Sequence, residues 1–187
     1  MLDDARIIEL YWERSEIAVS ETEKKYGSYC RYIAYGILHD KAETEECVND
    51  TWLNAWNSIP PTRPNKLSAF LGRITRNLSL NRRERRLAKK RGGGQTTLVL
   101  DELAECIPSS KSADREMENM ALTDALNRFL RSLTADKRRI FLRRYWYMSP
   151  VKEIAEEYGL TESKVKMTLL RTRQELKEFL EKEEIYL

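Results

Sequence analysis

The chain has 187 residues, of which 33 are Lys or Arg and 30 Asp or Glu, with only 7 Gly and 5 Pro. So many helix formers and so few turn residues exclude a β-sandwich, a barrel or a Rossmann sheet and point to an all-α fold. No stretch approaches the roughly 18 uninterrupted apolar residues of a membrane span, and Met1–Glu9 has no basic segment followed by an apolar one, so a soluble, cytoplasmic protein without membrane contact is expected.

Cys30, Cys47 and Cys106 lie far apart, so neither a disulfide framework nor a CxxC metal pair can be drawn, and the lone His39 weakens triad and metal chemistry further. No metal and no cofactor are expected. Charge is unevenly placed. Residues 1–62 hold 6 basic against 12 acidic side chains, a net of −6, whereas residues 63–91 hold 11 against 1, a net of +10. A positive block directly after an acidic one suggests two faces, one for a polyanion and one for a basic partner.

Taken in chain order, periodicity predicts helices near 3–14, 16–38, 41–57 and 67–90, with Tyr26, Tyr29, Cys30, Ile33, Ile37 and Leu38 marking one buried stripe. Between the last two, Pro60, Pro61 and Pro64 forbid helix and predict an extended loop. Arg91-Gly92-Gly93-Gly94 ends the periodicity and opens a flexible linker containing Pro108-Ser109-Ser110, in which Leu98-Val99-Leu100 and Leu103 fit either a brief strand or a docking tether. Domains are therefore expected at 1–91 and 114–187, joined by 92–113.

Beyond the linker, Met117, Met120, Ala121, Ala125, Leu126, Phe129, Leu130 and Leu133 recur at spacings of three and four and predict one amphipathic helix over 114–133. A second follows over 135–147. Ser149 is placed to cap a third, with Pro150 in its first turn and Gly159 at its end, and Thr161 to cap a fourth over 162–183. Helix, glycine turn, helix is the pattern of a helix-turn-helix, whose second helix enters the DNA major groove. Ala155, Gly159, Leu160 and Val165 are small or apolar where crossing helices pack, and Ser163, Lys164, Lys166, Thr168, Arg171 and Arg173 are predicted on the exposed face. Arg can bond guanine edges bidentately, while Lys and Ser meet phosphates. A solvated basic face on an αα-hairpin is the plainer alternative.

Two further segments carry chemistry. Arg73 to Arg91 is so densely basic that it repels itself without a polyanion nearby; nucleic acid, a membrane surface or a solvated helix could each account for it, and its Asn and Ser residues argue mildly against the membrane. Ile74 and Leu78, with Asn81 beside them as a third candidate, are placed inward, and Arg73, Arg76, Asn77 and Arg83 outward. Asp40 to Trp56 crowds acids at a helix N-terminus, which the helix dipole favours, but Asp50 sits deeper, and Trp52 with Trp56 needs a core or an interface.

These three segments occur in the order and spacing of one family. Over residues 20–180 the chain resembles an extracytoplasmic-function sigma factor of the sigma-70 class, which keeps two helical domains, regions 2 and 4, joined by a linker. Asp40 through Trp52 resembles the region 2 helix D-x-x-x-A-E-D-x-x-Q-D/E-x-F that grips the β′ coiled coil of RNA polymerase, with Asn49 and Trp52 standing where Gln and Phe are usual. By that resemblance Asp40, Glu43, Glu45, Glu46, Asn49, Asp50 and Trp52 bind polymerase. Ile74-Thr75-Arg76-Asn77 and Asn81-Arg82-Arg83 resemble the next helix, preceded by a loop, here 58–68, that captures a base flipped from the melted −10 element. The residues implied for −10 DNA are Thr62, Arg63, Asn65, Arg73, Arg76, Asn77, Asn81, Arg82 and Arg83.

In region 4, Leu133, Arg138, Phe141, Arg143 or Arg144 and Tyr145 match the first family motif. Glu153-Ile154-Ala155, Gly159, Thr161, Val165-Lys166, Arg171, Arg173 and Leu176 match the second. The implied −35 contacts are Ser163, Lys164, Lys166, Met167, Thr168, Arg171 and Arg173; Met167, Thr168 and Leu170 depart from the common residues and imply a different −35 sequence. The resemblance implies a non-enzymatic initiation factor whose partners are core RNA polymerase, through its β′ and β subunits, and promoter DNA, with an anti-sigma factor as a further possible partner. The alternative is a stand-alone helix-turn-helix regulator with an N-terminal sensor domain, which leaves the acidic and arginine helices without a shared explanation.

Overall fold

The computed structural model describes residues 2–91, 102 and 115–183. These form eight helices and no strand, and the chain divides into two compact units, Met1–Gly93 and Gly94–Leu187. The segments expected at 98–100, 103 and 108–110 lie outside the described residues.

The first unit holds α1 (Asp4–Trp12), α2 (Ile17–Leu38), α3 (Lys41–Ser58) and α4 (Leu67–Arg91). Asp3 caps α1 by accepting from the Arg6 N–H at 2.7 Å. The α2–α3 corner is turned by His39, left-handed at φ 53°, followed at once by Asp40, whose carboxylate accepts from the Glu43 N–H at 2.8 Å and starts α3. Tyr11, Ala34, Leu38, Val48, Ile59 and Leu71 lie in one core drawn from all four helices and the turn after α3.

Of the α2 stripe, Cys30, Ile33, Ile37 and Leu38 are buried as expected, but Tyr26 is half-buried and Tyr29 is exposed. The Tyr26 hydroxyl donates to Asp4 at 2.6 Å, so its polar tip reaches α1 rather than the core. The segment after α3 is not the extended loop that its prolines suggested. Ile59–Pro60 and Pro60–Pro61 are cis, and the Thr62 N–H returns to the Ser58 carbonyl at 3.0 Å, which makes the segment start as a turn.

The second unit holds α5 (Arg115–Ser132), α6 (Ala135–Tyr145), α7 (Val151–Tyr158) and α8 (Glu162–Lys182). Its core is aromatic on the α5 side: the Phe129 ring stands 6.3 Å from Phe141 and 5.7 Å from Phe179, and Phe141 lies 4.6 Å from Tyr145. Ala121, expected on the inner stripe of α5, is exposed. The third helix starts one residue later than expected. Pro150 is its N-cap, without a side-chain capping bond, and Ser149 is buried in the preceding loop, where its N–H bonds the Arg143 carbonyl at 2.9 Å.

Candidate nucleic-acid interface

Every third or fourth residue of α4 points at α3. Thr75 and Ser79 are fully buried there, each hydroxyl donating back to its own helix, to the Leu71 carbonyl at 2.9 Å and the Thr75 carbonyl at 2.7 Å. Thr51 bonds Thr75 at 3.2 Å, and Cys47 meets Ser79 at 3.2 Å. Continuing the same arc, Arg82 bridges Glu46 at 2.8 Å and Asp50 at 2.5 Å, and Arg86 reaches Glu43 at 3.1 Å. The bonds that it donates to Glu46 and Asp50 hold the Arg82 guanidinium above its ordinary pKa.

Part of the charge read from the sequence as two outward faces is therefore spent between two helices of one unit. Arg82 does not stand free for phosphates. Arg83, expected outward, is only 8% exposed. Arg76 is half-buried, and burial lowers its pKa. Among the described polar residues of α4, Arg73, Asn77 and Asn81, the last a candidate for the inner side, face outward, with Glu84 and Arg85. Thr62, Arg63 and Asn65 before it are exposed, although Arg63 pairs with Glu9 and lies over the Trp12 ring at 5.6 Å.

On α3 the outward residues are Asp40, Glu45, Glu46 and Asn49, with Glu43 and Asp50 partly covered. Trp52, for which the sequence left a core or an interface open and the family resemblance implied polymerase contact, is buried in the core, one turn after buried Val48 on the inner arc. Beside it a groove of about 810 Å³ between α2 and α3 is lined by Val19, Glu23, Arg31, Asn49, Leu53 and Trp56. Sequence reasoning passed over Arg31, which pairs with Glu45 at 2.9 Å and Glu23 at 2.6 Å, and over exposed Leu53. An apolar residue outward on an acidic helix was the available signal for Leu53; for Arg31 the sequence offers none, because its partners sit on two helices.

In the second unit Gly159 adopts φ 62°, and the Leu160 N–H returns to the Ala155 carbonyl at 2.8 Å. Thr161 then caps α8 by accepting from the Lys164 N–H at 3.2 Å. Val165, Leu169, Leu176 and Leu180 bury one face of α8. Ser163, Lys164, Lys166, Met167, Leu170 and Arg171 are exposed, and Thr168 is half-buried with its hydroxyl on the Lys164 carbonyl at 2.9 Å.

Arg173 departs from the expected face. Its side chain is 16% exposed and donates to the Tyr145 hydroxyl at 2.7 Å and to Glu102 at 3.4 Å. Glu102 also pairs with Arg144 and accepts from Tyr145 at 3.2 Å. Burial opposes the charge of the Glu102 carboxyl, but the bond and charge of Arg144, the bond from Tyr145 and the charge of Arg173 outweigh it and hold its pKa below the ordinary carboxylate range. Burial pushes the Tyr145 phenol up to about 12, so it stays a neutral donor and acceptor.

Among the described residues no group of three or more His, Cys, Asp or Glu side chains is placed to hold a metal ion, and no helix is long and apolar enough to cross a membrane. A family model described as Sigma-70 region 2 matches residues 24–89, and one described as Sigma-70, region 4 matches residues 123–176. Together they span more than half of the chain. No curated protein matches it.

Proposed function

Since the chain belongs to the sigma-70 family, in the extracytoplasmic-function pattern of a region 2 followed by a region 4, we propose that it binds core RNA polymerase and directs it to promoters carrying matched −10 and −35 elements. A sigma-factor role in transcription initiation follows from the two regions. In this reading residues 1–91 dock on polymerase and open the −10 element, 92–113 tether, and 114–187 read the −35 duplex, all in the cytoplasm. Catalysis belongs to the polymerase.

The division of labour on α4 carries the proposal: one arc is tied to acidic α3 through Thr75, Ser79, Arg82 and Arg86, and the opposite arc leaves Arg73, Asn77 and Asn81 outward. A strand of unpaired bases laid along the outer arc meets an amide with both a donor and an acceptor for a base edge, next to guanidinium charge for phosphates. The acids left outward on α3, Glu45 and Glu46, with the Asn49 amide beside them, complement a basic partner, and electrostatic matching sets on-rate and register. On α8, Arg171 is the exposed guanidinium placed for base readout, and Ser163, Lys164 and Lys166 are placed for phosphates.

The test is a pull-down of core polymerase with promoter-dependent run-off transcription, scored with permanganate reactivity of −10 thymines. Asn77→Ala is expected to reduce opening and change the base preference. A chain that binds its duplex with full specificity alone and adds nothing to core polymerase is instead a stand-alone regulator.

A further inference from the structure

Helix α1 lies ahead of the segment matched to region 2, which begins at residue 24, yet side chains on it and just after it reach the loop between α3 and α4 at its start, middle and end. At the start, Arg14, which follows α1 at φ 54°, donates to the Trp56 carbonyl in the last turn of α3 at 2.8 Å and lies over the Trp56 ring at 5.4 Å. In the middle, Arg63 pairs with Glu9 and lies over the Trp12 ring at 5.6 Å. Glu9 and Trp12 are one turn apart on the same face of α1, so one guanidinium meets both. At the end, the Asp4 carboxylate lies against the Leu67 N–H, the first of α4. Burial opposes the Asp4 charge, but the bonds from Lys25 and Tyr26, the charge of Lys25 and the Leu67 N–H outweigh it and lower its pKa.

Magnitude separates what these contacts do from what the core does. The side chains of Arg63 and Glu9 are 56% and 43% exposed, so water screens their pair and it adds little to the stability of the fold. Helix α1 is fixed without it, because Ile7, Ile8, Leu10 and Tyr11 are buried in the same core as Ile59, the first residue of the loop. What the pair does set is where the loop lies. Thr62 and Asn65 are exposed on either side of Arg63, and a loop free to move would offer their short polar side chains in many arrangements. Tied at Arg63, it offers one.

We propose that α1 is the positioning element of the loop before α4: Glu9 and Trp12 hold Arg63, and Arg14 holds the end of α3, so that Thr62 and Asn65 meet a base of the −10 element in one arrangement. Arg63, which the family resemblance implied for DNA, is then a positioning residue whose charge is answered within the chain. This rests on the reading of the first unit as the −10 element's partner, and it adds to that reading a helix that carries none of the DNA residues. Base preference, more than affinity, is what such a hold controls, since a supporting residue acts through the geometry of the groups it holds.

The experiment uses the full chain with core polymerase on a promoter that the wild type transcribes, its −10 element pre-melted and each base replaced in turn. The readout is the ratio of affinities for the original and the replaced base, which a uniform change in attraction for DNA leaves untouched. Glu9→Arg and Arg63→Glu each set like charges face to face and are expected to lower that ratio about threefold at one position, the scale of a solvent-screened pair. The swap Glu9→Arg/Arg63→Glu restores an ion pair and is expected to return the ratio to that of wild type. Helical circular dichroism of all three should match wild type, since both side chains are exposed. Single variants that keep the wild-type ratio overturn the proposal. A swap that discriminates no better than the single variants also overturns it, by showing that Arg63 acts on DNA directly, while run-off by the wild type still upholds the sigma reading. If the wild type gives no run-off, the sigma reading fails, and amide hydrogen exchange of the free chain decides the hold alone. The Thr62 N–H, bonded to the Ser58 carbonyl at 3.0 Å, should then exchange faster in each single variant and at the wild-type rate in the swap, and unchanged rates in the single variants count against the hold.

Discussion

Reversing the charges of Glu46 and Asp50 tests the polymerase face proposed for α3, but both carboxylates already hold Arg82, so the same change also disturbs the fold. The two effects can be separated by magnitude. Arg82 is 26% exposed, Glu46 69% and Asp50 44%, which makes each ion pair solvent-screened and worth some 0.2–1 kcal/mol. Arg82→Ala should therefore cost the first unit about 1 kcal/mol in urea denaturation, small beside the roughly 5–15 kcal/mol of a typical domain. It leaves both carboxylates outward and unneutralised. Glu46→Lys/Asp50→Lys should cost a similar amount of stability, adding repulsion against Arg82. Against core polymerase the two variants diverge. Like charges placed across an interface cost several kcal/mol, so the double reversal should weaken binding by more than about 30-fold, whereas Arg82→Ala should bind as well as wild type or better. The assay is a fluorescence titration of labelled chain with core polymerase at physiological and at raised salt, with unfolding followed by tryptophan emission. If Arg82→Ala weakens polymerase binding as much as the double reversal does, the acidic face is not the contact, and either Arg82 or the helix pairing it enforces is.

Arg171→Ala is expected to cost about 1–3 kcal/mol on the preferred −35 duplex and relax one base position, Lys164→Ala to weaken all duplexes alike, and Arg173→Ala to lower stability with no change in base preference; competition binding on specific and scrambled duplexes decides among them. Glu102→Gln should destabilise the second unit by about 1 kcal/mol after allowance for partial exposure. Because the folded Glu102 pKa is depressed, that contribution is present above the unfolded carboxylate pKa and is lost as pH falls through the folded value, so urea midpoints of wild type and variant should differ at neutral pH and converge in acid; a gap that widens on acidification contradicts the pairing of Glu102 with Arg144 and Arg173. Gly159→Ala meets open space but must hold φ 62°, which should cost about 1 kcal/mol of thermal stability and leave −35 specificity intact if the turn keeps its shape.

Periodicity, caps and breakers act within a few residues, and these local features were legible in the sequence: the helices on either side of the linker, Gly159 as a left-handed stop, Thr161 as the cap of α8, and Val165, Leu169 and Leu176 as its inner face. The order of the acidic, arginine-rich and helix-turn-helix segments was equally local and was enough to point to the family. What the tertiary structure alone decided is how each charge is used. Arg82 and Arg83 are neighbours in a densely basic helix, and nothing local distinguishes them from Arg73; only the approach of α3 draws Arg82 onto Glu46 and Asp50, while packing buries Arg83. Arg173 sits on α8 in the same run as exposed Lys166 and Arg171, yet Tyr145 and Glu102, 28 and 71 positions away, hold it aside. Tyr29, read as buried, is exposed, and Trp52, left open between core and interface, is buried, for the same reason: a helix has several arcs, and which arc is inward depends on where its neighbours lie. A side chain's charge and shape are properties of the sequence, but whether that charge meets solvent, a phosphate or another side chain is set by contacts between residues far apart in the chain.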